Sequence, residues 1–249
     1  MKYYSTRDKA HARPCSLREA VEAGASVIDV GGYSSRPGAD EVSPEEEWRR
    51  VDLGVGAVRS LSPDLPVSID TFRSSVAARA IHKYGKVIIN DISAGELDPL
   101  IVDVAAEHDV PYVAMHMKGD PRTMQSMTDY RDIVAEVVDY FRERTAQLRE
   151  RGVRRIVVDP GFGFAKTLEQ NYELLRGLHR LAELGYPVLA GVSRKSMIYK
   201  WIGPTPAEAL NGTTALHWEC LRQGAVILRA HDTREAVEVV RMFDQFMQA

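Results

Sequence analysis

The stretch Arg155–Gly161 reads RIVVDPG, a short apolar run followed by an aspartate, a proline and a glycine. A run of this kind, without alternation of apolar and polar residues, is typical of a parallel strand that is buried on both faces. The seven runs that share the pattern therefore predict seven parallel strands. The other six are Ser26–Gly32 (SVIDVGG), Pro66–Thr71 (PVSIDT), Val87–Ser93 (VIINDIS), Pro111–Met117 (PYVAMHM), Pro187–Ser193 (PVLAGVS) and Ala225–His231 (AVILRAH).

The segments between the runs have the length and patterning of helices. Ser43–Glu46 (SPEE) supplies an N-cap serine, a first-turn proline and acidic side chains near the positive helix end. Asp129–Arg151 places apolar side chains along one face, as a helix packed on a sheet requires. The chain thus predicts seven β/α units in one unbroken series, and we expect a single domain over residues 1–249.

Polar residues stand at the end of nearly every predicted strand. A closed β/α barrel collects its active site from many strand ends, whereas an open doubly wound sheet concentrates it near one switch point. The pattern therefore favours a TIM (β/α)8-type barrel. Eight strands close the usual barrel and nothing before Ser26 reads as a strand, so we expect only strands 2–8 in this chain. The polar residues are Asp29, Asp70, Asn90, Asp91, His116, Asp159, Ser193, Arg229 and His231.

Composition and charge exclude several classes of protein. The chain is 45% hydrophobic and 27% charged, and its net charge of −3 gives no general attraction to nucleic acid or an anionic membrane. No run is apolar enough for a membrane-spanning helix, and residues 1–16 lack the apolar centre of a signal peptide. From the charge and the lack of an apolar span, we expect no nucleic-acid or membrane partner. Two cysteines, Cys15 and Cys220, make no disulfide framework, so we expect a cytoplasmic protein.

The densest basic segment is Ser193–Ser196 (SRKS), where a strand meets its helix. Ser193 is predicted to cap this helix and Lys195 to lie in its first turn, where free backbone N–H groups bind anions. A lysine is unfavourable at that end of a helix unless an anion is present. The alternative is a solvated lysine beside a turn.

The last predicted strand ends in Arg229-Ala230-His231-Asp232. Because side chains alternate along a strand, Arg229 and His231 are predicted to lie on the same side. Inside a barrel they would form a clamp for phosphate oxygens. The alternative is a structural Arg–Asp pair beside a hydrogen-bonded histidine.

Asp70, Asp91 and Asp159, together with Asn90, end otherwise apolar runs. An unpaired buried carboxylate is costly, so each must meet a cation, a ligand or backbone N–H groups. A carboxylate beside an amide suits the edge of a 2-amino-4-oxo-pyrimidine, because the carboxylate accepts from the ring N–H and the amine. For each aspartate taken alone, helix capping or loop pinning is an equal alternative.

Two glycine-rich turns complete the set of candidate features. Gly31–Ala39 (GGYSSRPGA) has the small and polar residues of a ligand-binding loop, and Asp159–Phe164 (DPGFGF) places flexible backbone beside two aromatic rings. Ordinary turns are the alternative for both segments. Neither matches a dinucleotide or P-loop phosphate motif.

In chain order, the segments GGYSSRPGA, SIDT, NDI, MHM, DPGFGF, SRKS and RAHD resemble the strand-end motifs of the dihydropteroate synthases. The resemblance extends from Ala20 to the C-terminus, and the ordered set is far more specific than any one motif. It implies a pterin-binding barrel of folate biosynthesis that condenses 7,8-dihydropterin-6-ylmethyl diphosphate with 4-aminobenzoate to give 7,8-dihydropteroate and pyrophosphate. It further implies bound Mg2+, a homodimer through the later helices and a target of sulfonamides.

The resemblance also implies roles for individual residues. Catalysis would depend on Lys195, Asp70, Asp159 and Arg229. The pterin would contact Asp70, Asn90, Asp159, Gly191, Lys195 and Met115. The diphosphate would contact Ser35, Arg229 and His231, and 4-aminobenzoate would contact Arg36, Pro37, Phe164 and Ser193. Met115 and His116 either line the pterin pocket or only finish a strand, and both alternatives stay open here.

The first strand of the family pattern, with its loop, has no counterpart in the motifs of this chain. In the family this segment carries an Asn and a Thr-Pro-Asp-Ser-Phe-like stretch that contact metal, diphosphate and aminobenzoate. Residues Lys2–Ala10 (KYYSTRDKA) instead resemble the segment that follows that loop. We therefore expect no metal ligand in this chain. The alternative function is a truncated barrel that binds pterin but is catalytically impaired.

Overall fold

The computed structural model describes residues 2–5, 16–34, 41–120, 123–203 and 205–248. For residues 2–5 and for Gln125, the description covers the backbone only. Among the helices in these ranges, none is both long and apolar enough to cross a membrane.

Eight parallel strands occur in the described residues, and they neighbour one another in chain order. The first six form one sheet, the last two pair with each other, and a bridge between Val158 and Val188 connects the two sets. Consecutive order is the topology of a β/α barrel, whereas a doubly wound sheet reverses its order at a switch point. The strands are β1 Lys2–Ser5, β2 Ile28–Gly31, β3 Val67–Asp70, β4 Ile88–Asp91, β5 Tyr112–Met115, β6 Ile156–Asp159, β7 Leu189–Ala190 and β8 Ile227–Leu228.

The expectation that nothing before Ser26 forms a strand was wrong. β1 pairs in parallel with β2, from Lys2 opposite Ile28 to Ser5 opposite Gly31. Four residues are too few for a periodic signal, and the pairing follows from the backbone groups that an edge strand offers. The number of strands therefore rises from seven to eight. The sequence of β1, KYYS, contains no asparagine, the residue that the family resemblance expects in the first strand.

Ten helices occur in the described residues, one after each strand as the β/α series predicted, except that two follow β6 and two follow β7. Ser43 accepts a hydrogen bond from the Glu46 N–H at 3.2 Å and caps the second helix, with Pro44 in its first turn. The helices are α1 Leu17–Glu22, α2 Pro44–Leu61, α3 Ser74–Tyr84, α4 Leu100–Glu107, α5 Ile133–Glu150, α6 Leu168–Arg176, α7 His179–Ala182, α8 Ser196–Ile202, α9 Leu210–Arg222 and α10 Thr233–Gln248.

The helix predicted within Asp129–Arg151 begins later than the segment does. The Asp132 carboxylate accepts from the Ala135 N–H at 2.9 Å, so α5 starts at Ile133. From there its apolar face packs inward, with Val137 and Phe141 fully buried.

Two apolar clusters hold the barrel together. The larger one joins strands to the surrounding helices, and α2 approaches β2 so closely that a Cβ at Gly54 would lie 2.6 Å from Val30. The smaller cluster lies beyond the carboxyl ends of the strands and contains Met115, with Phe164 packed against it. This second cluster supports the end of the barrel where the predicted site residues gather.

Candidate active site

The predicted pterin ligands lie level with one another at the carboxyl ends of the strands. In the strand register, Gly31 is opposite Asp70 and Asp70 is opposite Asn90. Further along the sheet, Met115 is opposite Asp159. The pairing of four-residue strands thus places groups that are far apart in sequence on one rim.

Asp29 joins this group, although the resemblance assigned it no role. The Asn90 Nδ2 donates to Asp29 Oδ2 at 3.0 Å, and both side chains are buried. The Asn90 Oδ1 is buried and has no hydrogen-bond partner among the described residues. A buried amide oxygen without a partner is costly, so it is a candidate acceptor for a ligand N–H. The signal for Asp29 was present in the sequence, as the one charged residue within the run SVIDVGG.

The carboxyl groups on β2 and β3 have raised pKa values. Burial is the main cause for Asp70, and the nearby carboxylate of Asp29 raises its pKa further, while Arg229 opposes both effects. Burial likewise raises the pKa of Asp29, again against the charge of Arg229. A raised pKa favours the protonated carboxyl group, which is able to donate a hydrogen bond as well as accept one.

Asp159 and Arg229 form an ion pair inside the barrel mouth. Arg229 Nη2 lies 2.8 Å from Asp159 Oδ2, and the side chains are 13% and 1% exposed. The other oxygen of Asp159 accepts from the Gly161 N–H at 2.8 Å. The Arg–Asp pair of the structural alternative is therefore present, with Asp159 as the partner, and the phosphate clamp stays a prediction.

The course of the Arg229 side chain explains why position 191 is a glycine. A Cβ at this position would lie 2.8 Å from Arg229 Nη2 and 3.1 Å from its Nε. Only a residue without a side chain lets the guanidinium pass over β7 to reach Asp159. Gly191 therefore shapes the site through Arg229.

Lys195 lies at the rim, but its position on the helix differs from the prediction. It is the N-cap residue of α8 and lies before the first turn. Its Nζ donates to the Phe162 carbonyl and lies 4.8 Å from the centre of the Phe164 ring. Burial, helped by the charge of Arg229, lowers the pKa of Lys195 to about 7. The ammonium therefore titrates near neutral pH beside the aromatic ring.

The prediction that Ser193 caps α8 was wrong. Its hydroxyl accepts from the backbone N–H of His231 at 3.1 Å and lies 3.1 Å from the Nδ1 of the same residue. This contact joins the ends of β7 and β8, so it fixes the histidine that was predicted to bind diphosphate. The segment turns before the helix begins, with the Lys195 N–H bonded to the Val192 carbonyl at 3.1 Å.

Two other charged residues of the motifs have structural partners. Arg194 makes a bidentate pair with Asp232, at 2.8 and 2.7 Å, which ties the SRKS turn to the start of α10. Asp91 accepts from the Ser93 and Gly95 N–H groups and from the Tyr112 hydroxyl, at 2.6 to 2.8 Å. Loop pinning is thus the correct interpretation of Asp91.

The structure separates Met115 from His116. Met115 belongs to the apolar cluster beside Phe164, on the side of the barrel mouth. His116 points into the helix layer, where its ring lies edge-on to Tyr140 at 4.9 Å. Burial, with the neighbouring charge of Lys166, holds the pKa of His116 well below its usual range. A neutral buried histidine finishes the strand, and contact of Met115 with the pterin stays a prediction.

Sequence reasoning missed Lys166, which is buried behind the Asp159–Phe164 turn. Its Nζ donates to the carbonyls of Gly161 and Phe164 at 3.0 and 2.9 Å. Burial, with the charge of Lys195, lowers its pKa to about 7. A lysine two residues beyond the DPGFGF motif carries no signal by itself, because its partners are backbone carbonyls.

Three predicted site residues, Ser35, Arg36 and Pro37, lie outside the described residues. Tyr33, two residues before Ser35, meets Phe72 edge-on at 5.3 Å, and the guanidinium of Arg73 lies 5.3 and 5.2 Å from the two ring centres. The described part of the GGYSSRPGA loop ends at the next residue, Ser34.

Among the described residues, no group of three or more His, Cys, Asp or Glu side chains is arranged to hold a metal ion. Part of the oxygen-rich rim is taken up by internal contacts, such as that between Asn90 and Asp29. The expectation that this chain supplies no metal ligand stays a prediction.

Comparison with known proteins agrees with this geometry. The family profile described as "Pterin binding enzyme" matches residues 8–231. The dihydropteroate synthase of Synechocystis is 41% identical over 247 residues, which cover 97% of this chain and 85% of the relative. That of Escherichia coli is 42% identical over 231 residues, covering 92% and 81%.

Solved structures give the same result. The Xanthomonas albilineans dihydropteroate synthase with 4-aminobenzoic acid superposes with a TM-score of 0.85 at 38% identity, covering 92% of this chain and 82% of that one. The Yersinia pestis enzyme in a sulfonamide drug complex gives 0.88 at 35% identity, covering 93% and 84%. This chain therefore belongs to the pterin-binding enzyme family, among the dihydropteroate synthases.

Proposed function

We propose that this chain condenses 7,8-dihydropterin-6-ylmethyl diphosphate with 4-aminobenzoate to form 7,8-dihydropteroate and pyrophosphate. The observation that carries the proposal is the meeting of acids and cations at one rim. Asp29, Asp70 and Asn90 lie on β2, β3 and β4, while Arg229 follows β8 and Lys195 precedes α8. A substrate with a heterocycle at one end and a diphosphate at the other needs both kinds of group in one site.

The pterin ring is assigned to Asn90 and the carboxyl groups at the strand ends. The Asn90 Oδ1 supplies an acceptor, and the raised pKa of Asp70 gives a carboxyl group that donates or accepts according to its proton. Met115 and Lys195 are proposed as further pterin contacts, and Gly191 contributes by letting Arg229 pass over the end of β7. Asp159, held by the Gly161 N–H, completes this set of pterin contacts.

The chemistry is a substitution at the methylene carbon of the pterin. The carbon–oxygen bond to the diphosphate breaks, the amine nitrogen of 4-aminobenzoate bonds to that carbon, and the nitrogen loses a proton. Positive charge that develops on the pterin is stabilised by the carboxylates, while Arg229 and His231 stabilise the leaving pyrophosphate. Ser35 is proposed to assist them, and Asp159, Asp70 and Lys195 act next to the reacting carbon.

The 4-aminobenzoate is proposed to bind at the outer edge, against Phe164 and Ser193 and with Arg36 and Pro37. The ring of Phe164 is half-buried and lies 4.8 Å from the Lys195 ammonium. The relative from Xanthomonas albilineans was solved with 4-aminobenzoic acid, and the one from Yersinia pestis with a sulfonamide drug. We propose that sulfonamides compete with 4-aminobenzoate here.

Magnesium is proposed to enter with the diphosphate as part of the substrate. Mg2+ keeps several waters and is commonly held by substrate phosphates with one or two protein oxygens. The lack of a protein-only metal group among the described residues fits this arrangement. Supply of the diphosphate without Mg2+ is then expected to reduce turnover.

A homodimer is proposed through α9 and α10. Trp218 of α9 meets Phe243 and Phe246 of α10 at 5.3 and 5.5 Å between ring centres. Phe246, Met242 and Met247 remain 64 to 66% exposed, and an exposed apolar patch of this kind favours association. We also propose a cytoplasmic location, since the two cysteines make no disulfide framework.

The second candidate is a barrel that binds pterin but turns over poorly. The sequence of β1, KYYS, favours it, because no asparagine is present there for the metal or diphosphate. Purified protein with both substrates and Mg2+ separates the two functions. A synthase releases dihydropteroate and pyrophosphate in equal amounts, and omission of 4-aminobenzoate abolishes the first product. Calorimetric binding of the pterin without product formation would identify the impaired barrel.

A further inference from the structure

The turn Asp159–Phe164 is held from two sides by lysine ammonium groups. Lys166 donates to the carbonyls of Gly161 and Phe164, and its Nζ also lies 3.1 Å from His116 Nδ1. Lys195 donates to the carbonyl of Phe162, which lies between them. Three carbonyl groups of one six-residue turn thus face two cations.

The backbone of this turn needs support from outside. Gly161 has a φ of +69°, and a Cβ there would lie only 2.1 Å from the His116 carbonyl oxygen. Within the turn, the Phe164 N–H donates to the Gly161 carbonyl at 3.0 Å and the Gly161 N–H donates to Asp159 Oδ1 at 2.8 Å. The Gly163 N–H donates outside the turn, to Asn171 Oδ1 at 2.6 Å. Gly161 and Phe164, which the first of these hydrogen bonds joins, are also held together by Lys166, because its ammonium donates to both of their carbonyl groups.

We propose that Lys166 is a positioning residue, which fixes the Asp159–Phe164 turn and thereby places the Phe164 ring beside Lys195 and the Asp159 carboxylate beside Arg229. Lys166 is 7% exposed and lies behind the turn, so it acts on ligands through other residues. The inference rests on the proposed function only for the identity of the ligand that Phe164 contacts.

The free-energy cost of burying this lysine supports a geometric role. An ammonium group without a hydrogen-bonded carboxylate is expensive to bury, and an apolar side chain would fill the same space at lower cost. Its bonds instead reach two carbonyls that lie three residues apart in one turn. These bonds constrain the turn in a way that apolar packing does not.

The test compares Lys166→Met, which removes the donors, with Lys166→Arg, which keeps the charge and the donors. Lys83→Met is the matched control, because Lys83 pairs with Asp52 at 2.6 Å on the outer helices. We expect Lys166→Met to raise KM for 4-aminobenzoate about tenfold, with a smaller change in kcat, and Lys166→Arg to recover most of the loss. Lys166→Gln serves in its place if the methionine variant does not fold.

Amide hydrogen exchange provides a measurement that does not depend on activity. Exchange at residues 161–165 should accelerate about tenfold in Lys166→Met relative to Lys83→Met, while exchange in β2 to β4 stays unchanged. Unchanged KM and unchanged exchange in this turn would overturn the proposal. The proposal would also be overturned if the loss of activity in Lys166→Met matches its fall in melting temperature and Lys166→Arg does not restore activity. Lost packing alone would then be the cause. If the wild-type chain makes no dihydropteroate but the turn loosens as expected, the proposed function fails and the positioning role stands.

Discussion

The guanidinium of Arg229 lies 2.8 Å from the carboxylate of Asp159, between the ends of β8 and β6. The contact crosses β7 at Gly191, the position where a side chain would block it. It connects the residue assigned to diphosphate with one assigned to the pterin. In the free protein the two charges balance each other, so an arriving diphosphate competes with Asp159 for the arginine.

Replacement of Arg229 by methionine should reduce both activity and stability. Removal of one partner leaves the buried carboxylate uncompensated, which costs about 3 kcal/mol of unfolding free energy. Chemical denaturation measures this loss, and steady-state kinetics should show a higher KM for the pterin diphosphate. Arg234→Met is the control, because its pair with Glu238 at 3.0 Å is largely exposed and should contribute little. Equal stability of the two variants would show that the buried pair is not important for the fold.

Gly191→Ala should impair catalysis while leaving the protein folded. The new Cβ would lie 2.8 Å from Arg229 Nη2, and since that atom ends a flexible side chain, the arginine moves and the barrel does not. We expect kcat/KM to fall at least about tenfold, equal to 1.4 kcal/mol, with little change in melting temperature. Gly56→Ala in helix α2 is the matched control, because the nearest atom to its Cβ, the Tyr84 hydroxyl oxygen of α3, is 3.9 Å away. Normal kinetics in Gly191→Ala would contradict the role assigned to this glycine.

Binding of an anion should draw a proton into the site near pH 8. Burial and Arg229 lower the pKa of Lys195 to about 7, so at pH 8 the amine is largely neutral in the free protein. A bound diphosphate favours the ammonium and raises that pKa, so binding takes up a proton. Calorimetric titration with pyrophosphate in buffers of different ionisation enthalpy measures the uptake.

The same titration with Lys195→Met identifies the group that takes up the proton. Lys166 also has a pKa lowered to about 7, so it is the competing source. Loss of the uptake in Lys195→Met assigns it to Lys195. Uptake of equal size in that variant would contradict the assignment.

The parts of the fold that the sequence predicted are those with a local signal. β6 and β4 are apolar runs ended by an acid, and Asp159 and Asn90 lie at the rim because parallel strands end together. β1 was missed because four residues carry no period, and the pairing of Lys2 with Ile28 is a backbone contact.

The misassigned side chains share a different cause. Ser193 has the residue type of a helix cap, but its hydroxyl bonds to His231, 38 positions away in the chain. Lys166 was missed because its bonds to the carbonyls of Gly161 and Phe164, although near in sequence, depend on the course of the folded turn. Residue type predicts what a group is able to bind, whereas the tertiary fold decides which partner it meets.

The most direct test of the account is the turnover of the wild-type chain and Lys195→Ala with both substrates and Mg2+. Lys200→Ala is the control, since it removes an exposed lysine from the same helix. We predict that the wild type and the control release dihydropteroate and pyrophosphate in equal amounts, and that Lys195→Ala lowers kcat/KM at least about 100-fold, equal to 2.7 kcal/mol. Near-normal turnover in Lys195→Ala, or no product from the wild type, would contradict the account.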